Sequence, residues 1–415
     1  MSLANGRHYL AIPGPSVIPD PVLQAMHRPA PNIYTGELVD LAHGLVPDLK
    51  KIAGTAHHVA MYIANGHGIW EAALTNMLSR GDTVLVCQTG VFGDGWGDVA
   101  QSLGATVHRL EFGKTDGLDP LKIEQALRAD KDHCIKAVLV THVDTATSLR
   151  NDIAAVRKAM DAADHPALLA VDCVASMGCE AFEMDAWGVD VAIAASQKGL
   201  MTPAGMGFIW MSDNAMKAGQ SANMRTPYWD WTLRSAPEQL YEFFGGTPPT
   251  QHLYALRTAV DMLLEEGMDK VHARHAALAG AYWAAVDVWG QTGALKLNVA
   301  DPKLRSHAVT ALRLNEPDGT RLRDWLTEHM GVTLGIPLGM ADWDEDAWHG
   351  YFRIGHMGHL NAQMVLGVIG AIETAFIALD IPHSSGGVTA ATAFLAEAAG
   401  KAVTPEAKGG GGCCA

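Results

Sequence analysis

Between residues 55 and 210, short apolar runs rich in β-branched residues alternate with amphipathic stretches of helical length. That alternation leaves few architectures open. The runs fall at 59–63, 83–87, 105–110, 135–141, 167–171, 190–195 and 206–211. Strands that are nearly continuous in apolar residues are buried on both faces, and helices between them make the crossovers parallel. The pattern predicts an α/β unit with a seven-stranded, mostly parallel sheet covered by helices. Helices are expected at 67–80, ended by Gly81, and from an N-cap at Asp152 through Met160. In such sheets ligands meet the carboxyl ends of the strands, so the residues just after each run carry the functional reading.

A loop rich in Trp, Pro and Gly follows at 226–250, then a long helical pattern at 251–266 ended by Gly267. The remainder has helices at 271–289, 320–329 and 360–379, a strand at 306–314 and another running into Arg353. That mixture is α+β. The expected division is an N-terminal arm at 1–20, a large domain at 21–265, a smaller C-terminal domain at 266–400 and a flexible Gly-Cys tail at 401–415.

Composition removes several function classes. The formal charge of −15, with no Lys/Arg run, argues against nucleic acid as a partner. The most apolar late stretch, 364–379, is interrupted by Glu373 and is too short for a bilayer, so no membrane partner is expected. Six cysteines without a C-x-x-C pair predict neither a zinc site nor a disulfide framework. The N-terminus lacks an apolar leader segment, and the expected compartment is the cytoplasm.

Five features mark chemistry at the strand ends. Lys198 follows the run at 190–195 and is followed by Gly199, where a partly buried amine is placed to form a Schiff base with an aldehyde. Asp172 ends the run at 167–171, where a carboxylate can hold a pyridine nitrogen protonated. Asn65-Gly66-His67-Gly68 joins a strand to a helix start, an anion site without a G-x-G-x-x-G or Walker pattern. Phe92 can stack on a flat ring, and His142 and Thr145 can bond a ring substituent. Arg353, inside an apolar strand, must meet an anion if buried, either a substrate carboxylate or an internal aspartate. Each feature alone has an ordinary structural reading. Together, in this order, they describe a pyridoxal 5′-phosphate site.

Over residues 9–395 the chain resembles the class V, fold type I aminotransferases, and within them the serine–glyoxylate and alanine–glyoxylate groups. The resemblance rests on Ile12-Pro13-Gly14-Pro15, Asn65-Gly66-His67-Gly68, the segment from His165 to Asp172 and Ser196-Gln197-Lys198-Gly199. It continues in Tyr228-Trp229-Asp230-Trp231, Thr247-Pro248-Pro249 and Phe352-Arg353-Ile354-Gly355-His356. It implies that Lys198 forms the Schiff base and shuttles the proton at Cα, and that Asp172 pairs with the pyridine nitrogen. Asn65, Gly66, His67 and Gln197 would lie at the phosphate, Phe92 on the ring and Thr145 near the 3′-oxygen. Arg353 would take the substrate carboxylate, and Tyr34 lies in the loop that shapes the donor pocket. Thr247 would reach a phosphate across a dimer, which implies a homodimer with shared active sites.

The chain departs from the family pattern at Phe244, at Phe92 in place of tryptophan, at Asp144 and Ser148, and at Asn32-Ile33-Tyr34-Thr35-Gly36. The expected activity is ping-pong transfer of an amino group from a small amino acid, L-serine first, to glyoxylate or a similar 2-oxo acid. Alanine, aspartate, ureidoglycine or pyridoxamine are the alternative donors. A cysteine desulfurase-like lyase would need a mobile reactive cysteine.

Overall fold

The structure is a computed structural model that describes residues 2–402. Seven strands build the central sheet: β1 (His58–Ala64), β2 (Thr83–Gln88), β3 (Thr106–Glu111), β4 (Ile135–Thr141), β5 (Leu168–Asp172), β6 (Val191–Ala195) and β7 (Gly205–Met211). Their spatial order is β1-β7-β6-β5-β4-β2-β3. Only β7 runs antiparallel, between β1 and β6, and every other pairing is parallel. This is the mostly parallel α/β sheet expected from the apolar runs. Residues of β5 and β6 are buried throughout, because helices cover both faces, whereas the edge strand β3 stays partly open to solvent.

Local sequence explains the connections that matter to the site. Asn65 caps the helix Gly66–Met77 by accepting the Gly68 N–H at 3.1 Å, so the chain turns sharply from β1 into a helix start. That helix stops three residues before the expected end. Leu78 is extended, and the Asp82 carboxylate takes the Ser79 N–H at 2.7 Å, pulling the chain into a turn. Asp152 caps Ile153–Ala162 through the Ala155 N–H, as its position predicts. The Trp-rich loop is more ordered than its composition suggests. Buried Arg234 donates to the carbonyls of Met61, Phe243 and Tyr228 and gathers the loop onto β1.

The C-terminal part contains an antiparallel sheet of Lys296–Leu297, Val309–Arg313 and Tyr351–Gly355. The helices Met268–Trp289, Asp318–Met330 and Ala362–Ala378 surround it. Met268–Trp289 passes from one core to the other: Val271 packs with the large sheet, while Tyr282, Val286 and Trp289 pack in the second core. Tyr9–Ala11 pairs in parallel with Val332–Leu334, so the chain's beginning is built into its C-terminal part. No helix among the described residues is long and apolar enough to cross a membrane. The glycine-rich end with Cys413 and Cys414 lies outside the described residues.

Candidate active site

A cavity of about 160 Å3 opens at the carboxyl ends of β1, β2, β4, β5 and β6. Asn65, Gly66, His67, Phe92, Thr145, Asp172, Gln197 and Lys198 all line it. Tyr34 and Thr247 do not: both lie exposed on loops and are absent from its lining within the single chain.

The two ionisable groups expected to do chemistry are buried under opposing influences. The Lys198 amine donates a hydrogen bond to the Pro13 carbonyl. Burial, helped by the Arg353 guanidinium, pushes its pKa down to about 8, which brings the free amine within reach just above neutral pH. Asp172 is 4% exposed, with Oδ1 accepting the Val174 N–H and Oδ2 accepting the Trp70 indole N–H, both at 2.7 Å. Burial pushes its carboxyl up to about 6, and those two N–H groups resist the rise. The turn that presents Lys198 is tied down from several sides. Ser16 donates its N–H to the Gln197 carbonyl and its hydroxyl to the Lys198 carbonyl, both at 2.8 Å, and Ser196 Oγ reaches Pro203.

Phe92 and Thr145 are set by one carboxylate. Asp144, fully buried, accepts the N–H groups of Phe92 and Ala146, each at 2.9 Å. A Cβ on Gly90 would sit 2.3 Å from the Asp144 Cγ, so only glycine lets the two segments meet. Arg353 stands behind Thr145, donating Nη1 to its carbonyl at 2.8 Å and Nε to Ile336 at 2.7 Å. Among the described residues no carboxylate lies within ion-pair distance of Arg353. The internal Arg–Asp pair considered from sequence is therefore not what holds this side chain. Burial pushes the guanidinium down to about 10, as expected of a cation awaiting an anion.

His142 is a correction. It packs against Phe182 and Trp187, with Nδ1 3.0 Å from Ser176 Oγ, and is absent from the cavity wall. The strand end points it to the other face of the sheet. Trp70, Val174 and Ala175 line the cavity and were missed. Trp70 lies three residues after His67 on one helix, a spacing that puts both side chains on the same face. Cys173 and Cys179 are buried off the cavity wall, and burial raises both thiols. Cys134 is exposed but precedes β4, at the opposite end of that strand from the cavity, so no cysteine among the described residues lines the site as a desulfurase would need.

The set fits pyridoxal 5′-phosphate. A helix start offers N–H groups to a phosphate, an aromatic wall faces a ring, and a buried carboxylate and the lysine amine share the floor. The Gln197 side-chain oxygen, buried without a partner, is left to meet a bound group. The chain also matches the sequence profile of the family aminotransferase class-V over residues 48–336.

The chain belongs to the class V aminotransferases.

This aminotransferase is 42% identical over 399 residues to a serine–glyoxylate aminotransferase of Methylorubrum extorquens, covering 94% of this chain and 97% of that protein. It is 37% identical over 384 residues to an L-aspartate–glyoxylate aminotransferase of Paracoccus denitrificans, covering 92% and 94%. Its fold matches the crystal structure of a ureidoglycine–glyoxylate aminotransferase from Bacillus subtilis with a TM-score of 0.82 at 25% identity, over 95% of this chain and 99% of that one. Membership of the family makes the aminotransferase a transaminase of amino and oxo acids, of fold type I, with pyridoxal 5′-phosphate as cofactor.

Proposed function

We propose that this aminotransferase moves the amino group of L-serine to glyoxylate, the two substrates using one site in turn. Similarity to the serine–glyoxylate enzyme of Methylorubrum extorquens supports glyoxylate as acceptor. The observation that carries serine as donor is the charge of the cavity wall. Among the described residues Lys198 is the only Lys or Arg that lines it, and Arg353 stands just behind. One guanidinium serves one carboxylate. A hydroxymethyl side chain then fits better than the second carboxylate of aspartate.

When bound, pyridoxal 5′-phosphate supplies an aldehyde that captures amines and a pyridinium ring that spreads carbanion charge. The chain's residues do the rest. Asn65, Gly66 and His67 would hold the phosphate at the helix start, with Gln197 beside them. Phe92 would cover the ring, Thr145 would bond the 3′-oxygen, and Asp172 would keep the ring nitrogen protonated. Arg353 fixes the substrate carboxylate, so the Cα–H faces the Lys198 amine. That amine would take and hold the proton lost from Cα. Thr247 and Tyr34, exposed and absent from the lining of their own cavity, complete the site of a second copy in a homodimer. The four described cysteines are free, which supports a cytoplasmic setting.

The test is the visible absorbance of the holoenzyme, read before and after L-serine without any oxo acid. Serine should discharge the band and glyoxylate should restore it. A band unmoved by serine but discharged by L-aspartate or L-alanine would replace the donor. Lys198→Ala should lose turnover with every donor; near-normal turnover would overturn the site.

A further inference from the structure

The helix Gly66–Met77 sends Trp70 under the cavity floor, where its indole touches three of the residues assigned to the cofactor. The N–H donates to Asp172 Oδ2 at 2.7 Å across 102 residues of sequence. The ring lies edge-on to His67, with centroids 4.6 Å apart, and to Phe92 at 6.3 Å. Its far face stacks on Trp96 at 6.5 Å and 17°. Trp70 is 3% exposed, so this contact is made out of water.

We propose that Trp70 is a positioning residue of the reaction: through its N–H it fixes the Asp172 carboxylate in the orientation and ionised state that hold a proton on the ring nitrogen. This rests on the reading that Asp172 meets that nitrogen. The last torsion of an aspartate is broad, and a carboxylate swings freely unless both oxygens are held. The Val174 N–H holds Oδ1 from two residues away and moves with the same loop. Trp70 supplies a tether from a separate element. A buried carboxylate also turns neutral unless hydrogen bonds support its charge. Asp144 works against ionisation of Asp172 from the neighbouring turn, and Lys198 works for it. With the indole N–H gone, the balance shifts toward the protonated acid. A protonated carboxyl cannot keep a pyridinium proton in place.

The experiment is 15N NMR of the full-length holoenzyme carrying pyridoxal 5′-phosphate labelled at the ring nitrogen, at neutral pH. Trp70→Phe keeps an aromatic ring and removes the donor. The wild-type nitrogen should resonate as pyridinium, and that of Trp70→Phe should move toward the neutral pyridine position. Trp96→Phe is the packing control, since its buried indole N–H has no partner, and it should leave the resonance at the wild-type position. A Trp70→Phe enzyme that binds cofactor and keeps the wild-type shift overturns the proposal. So does an equal shift in Trp96→Phe. A wild-type nitrogen that is itself neutral overturns the Asp172 reading and this proposal with it. Should Trp70→Phe fail to fold or to hold cofactor, benzothienylalanine at position 70 decides by the same criterion, because it preserves the indole shape with sulfur in place of N–H.

Discussion

The Lys198 amine is hydrogen-bonded to the backbone carbonyl of Pro13, which ties the reacting lysine of the large sheet to a segment anchored in the C-terminal part. Two residues before Pro13, the strand Tyr9–Ala11 pairs with Val332–Leu334. The crossing is tight: a Cβ on Gly355 would lie 2.0 Å from the Ile12 carbonyl oxygen, and one on Gly335 2.6 Å from Pro13 Cδ. Ser16 then bonds the turn that carries Lys198. Any movement of the C-terminal part relative to the sheet is thereby felt at the lysine.

Gly14→Ala should expose this coupling. Gly14 has φ 91°, a left-handed conformation that disfavours side chains, and its Cβ would lie 2.5 Å from Lys198 Cδ and 2.6 Å from Nζ. The lysine must give way. Displacing a reacting group by about 1 Å can lower turnover by about 10²-fold. Steady-state kcat should fall on that scale while the cofactor still binds. An unchanged kcat would show that the strap does not set the lysine's place.

The depressed pKa of Lys198 predicts a pH dependence with a definite sign. The free amine is the nucleophile, so the rate at which the cofactor-free, full-length chain captures pyridoxal 5′-phosphate should rise with pH, with a midpoint of about 8. Arg353 contributes to that depression as a like charge. Arg353→Gln should therefore move the midpoint upward. Stopped-flow absorbance across pH 6 to 10 reads both, and a midpoint that stays or falls in the variant would contradict the electrostatic account.

Much of the sheet was legible because its strands are buried on both faces and read as unbroken apolar runs, with the chemistry at their ends. Asp172, Lys198 and the Asn65 turn sit one to three residues beyond such runs. What escaped depends on pairings remote in sequence. Tyr9–Ala11 finds Val332–Leu334 some three hundred residues away, and nothing local in either segment announces the other. The helix Glu37–Ala53 carries Pro47 in its interior, a residue that argues against helix on propensity alone. His142 is displaced from the cavity because the residue after β4 faces the side occupied by Phe182 and Trp187. Nothing in its own segment marks Trp70; only the fold brings Asp172 beside its N–H.

Asp144→Asn tests the carboxylate that joins two cavity walls. Burial raises its pKa, and the N–H groups of Ala146 and Phe92 head the influences that oppose the rise. An asparagine keeps one acceptor oxygen and turns an NH2 toward donors, so at least one buried N–H loses its partner. That loss should lower stability by about 1–3 kcal/mol, read as a reduced midpoint in urea. Phe92 and Thr145 should loosen together, and cofactor affinity in equilibrium dialysis should drop by about 10-fold if one charge-assisted hydrogen bond's worth of organisation is lost. A variant that unfolds earlier but binds cofactor normally would confine Asp144 to the fold.

Arg353 has two separable effects, and a single substitution distinguishes them if pH is used as the second variable. Its guanidinium is oriented by two backbone carbonyls, those of Ile336 and Thr145, and should bind the carboxylate of donor and acceptor alike. Arg353→Ala should raise KM for both substrates by about 10- to 100-fold, the range for a hydrogen bond to a charged group. Below pH 8 it should also lower kcat, because Lys198 then regains its proton more readily. At pH 9 the amine is largely free in the wild type. The kcat deficit should shrink there while the KM defect persists. Arg353→Lys keeps the charge but not the planar fork, so it should restore the low midpoint of Lys198 without restoring KM. A KM unchanged in Arg353→Ala at both pH values would remove the carboxylate role and leave Arg353 as an electrostatic neighbour of the lysine alone.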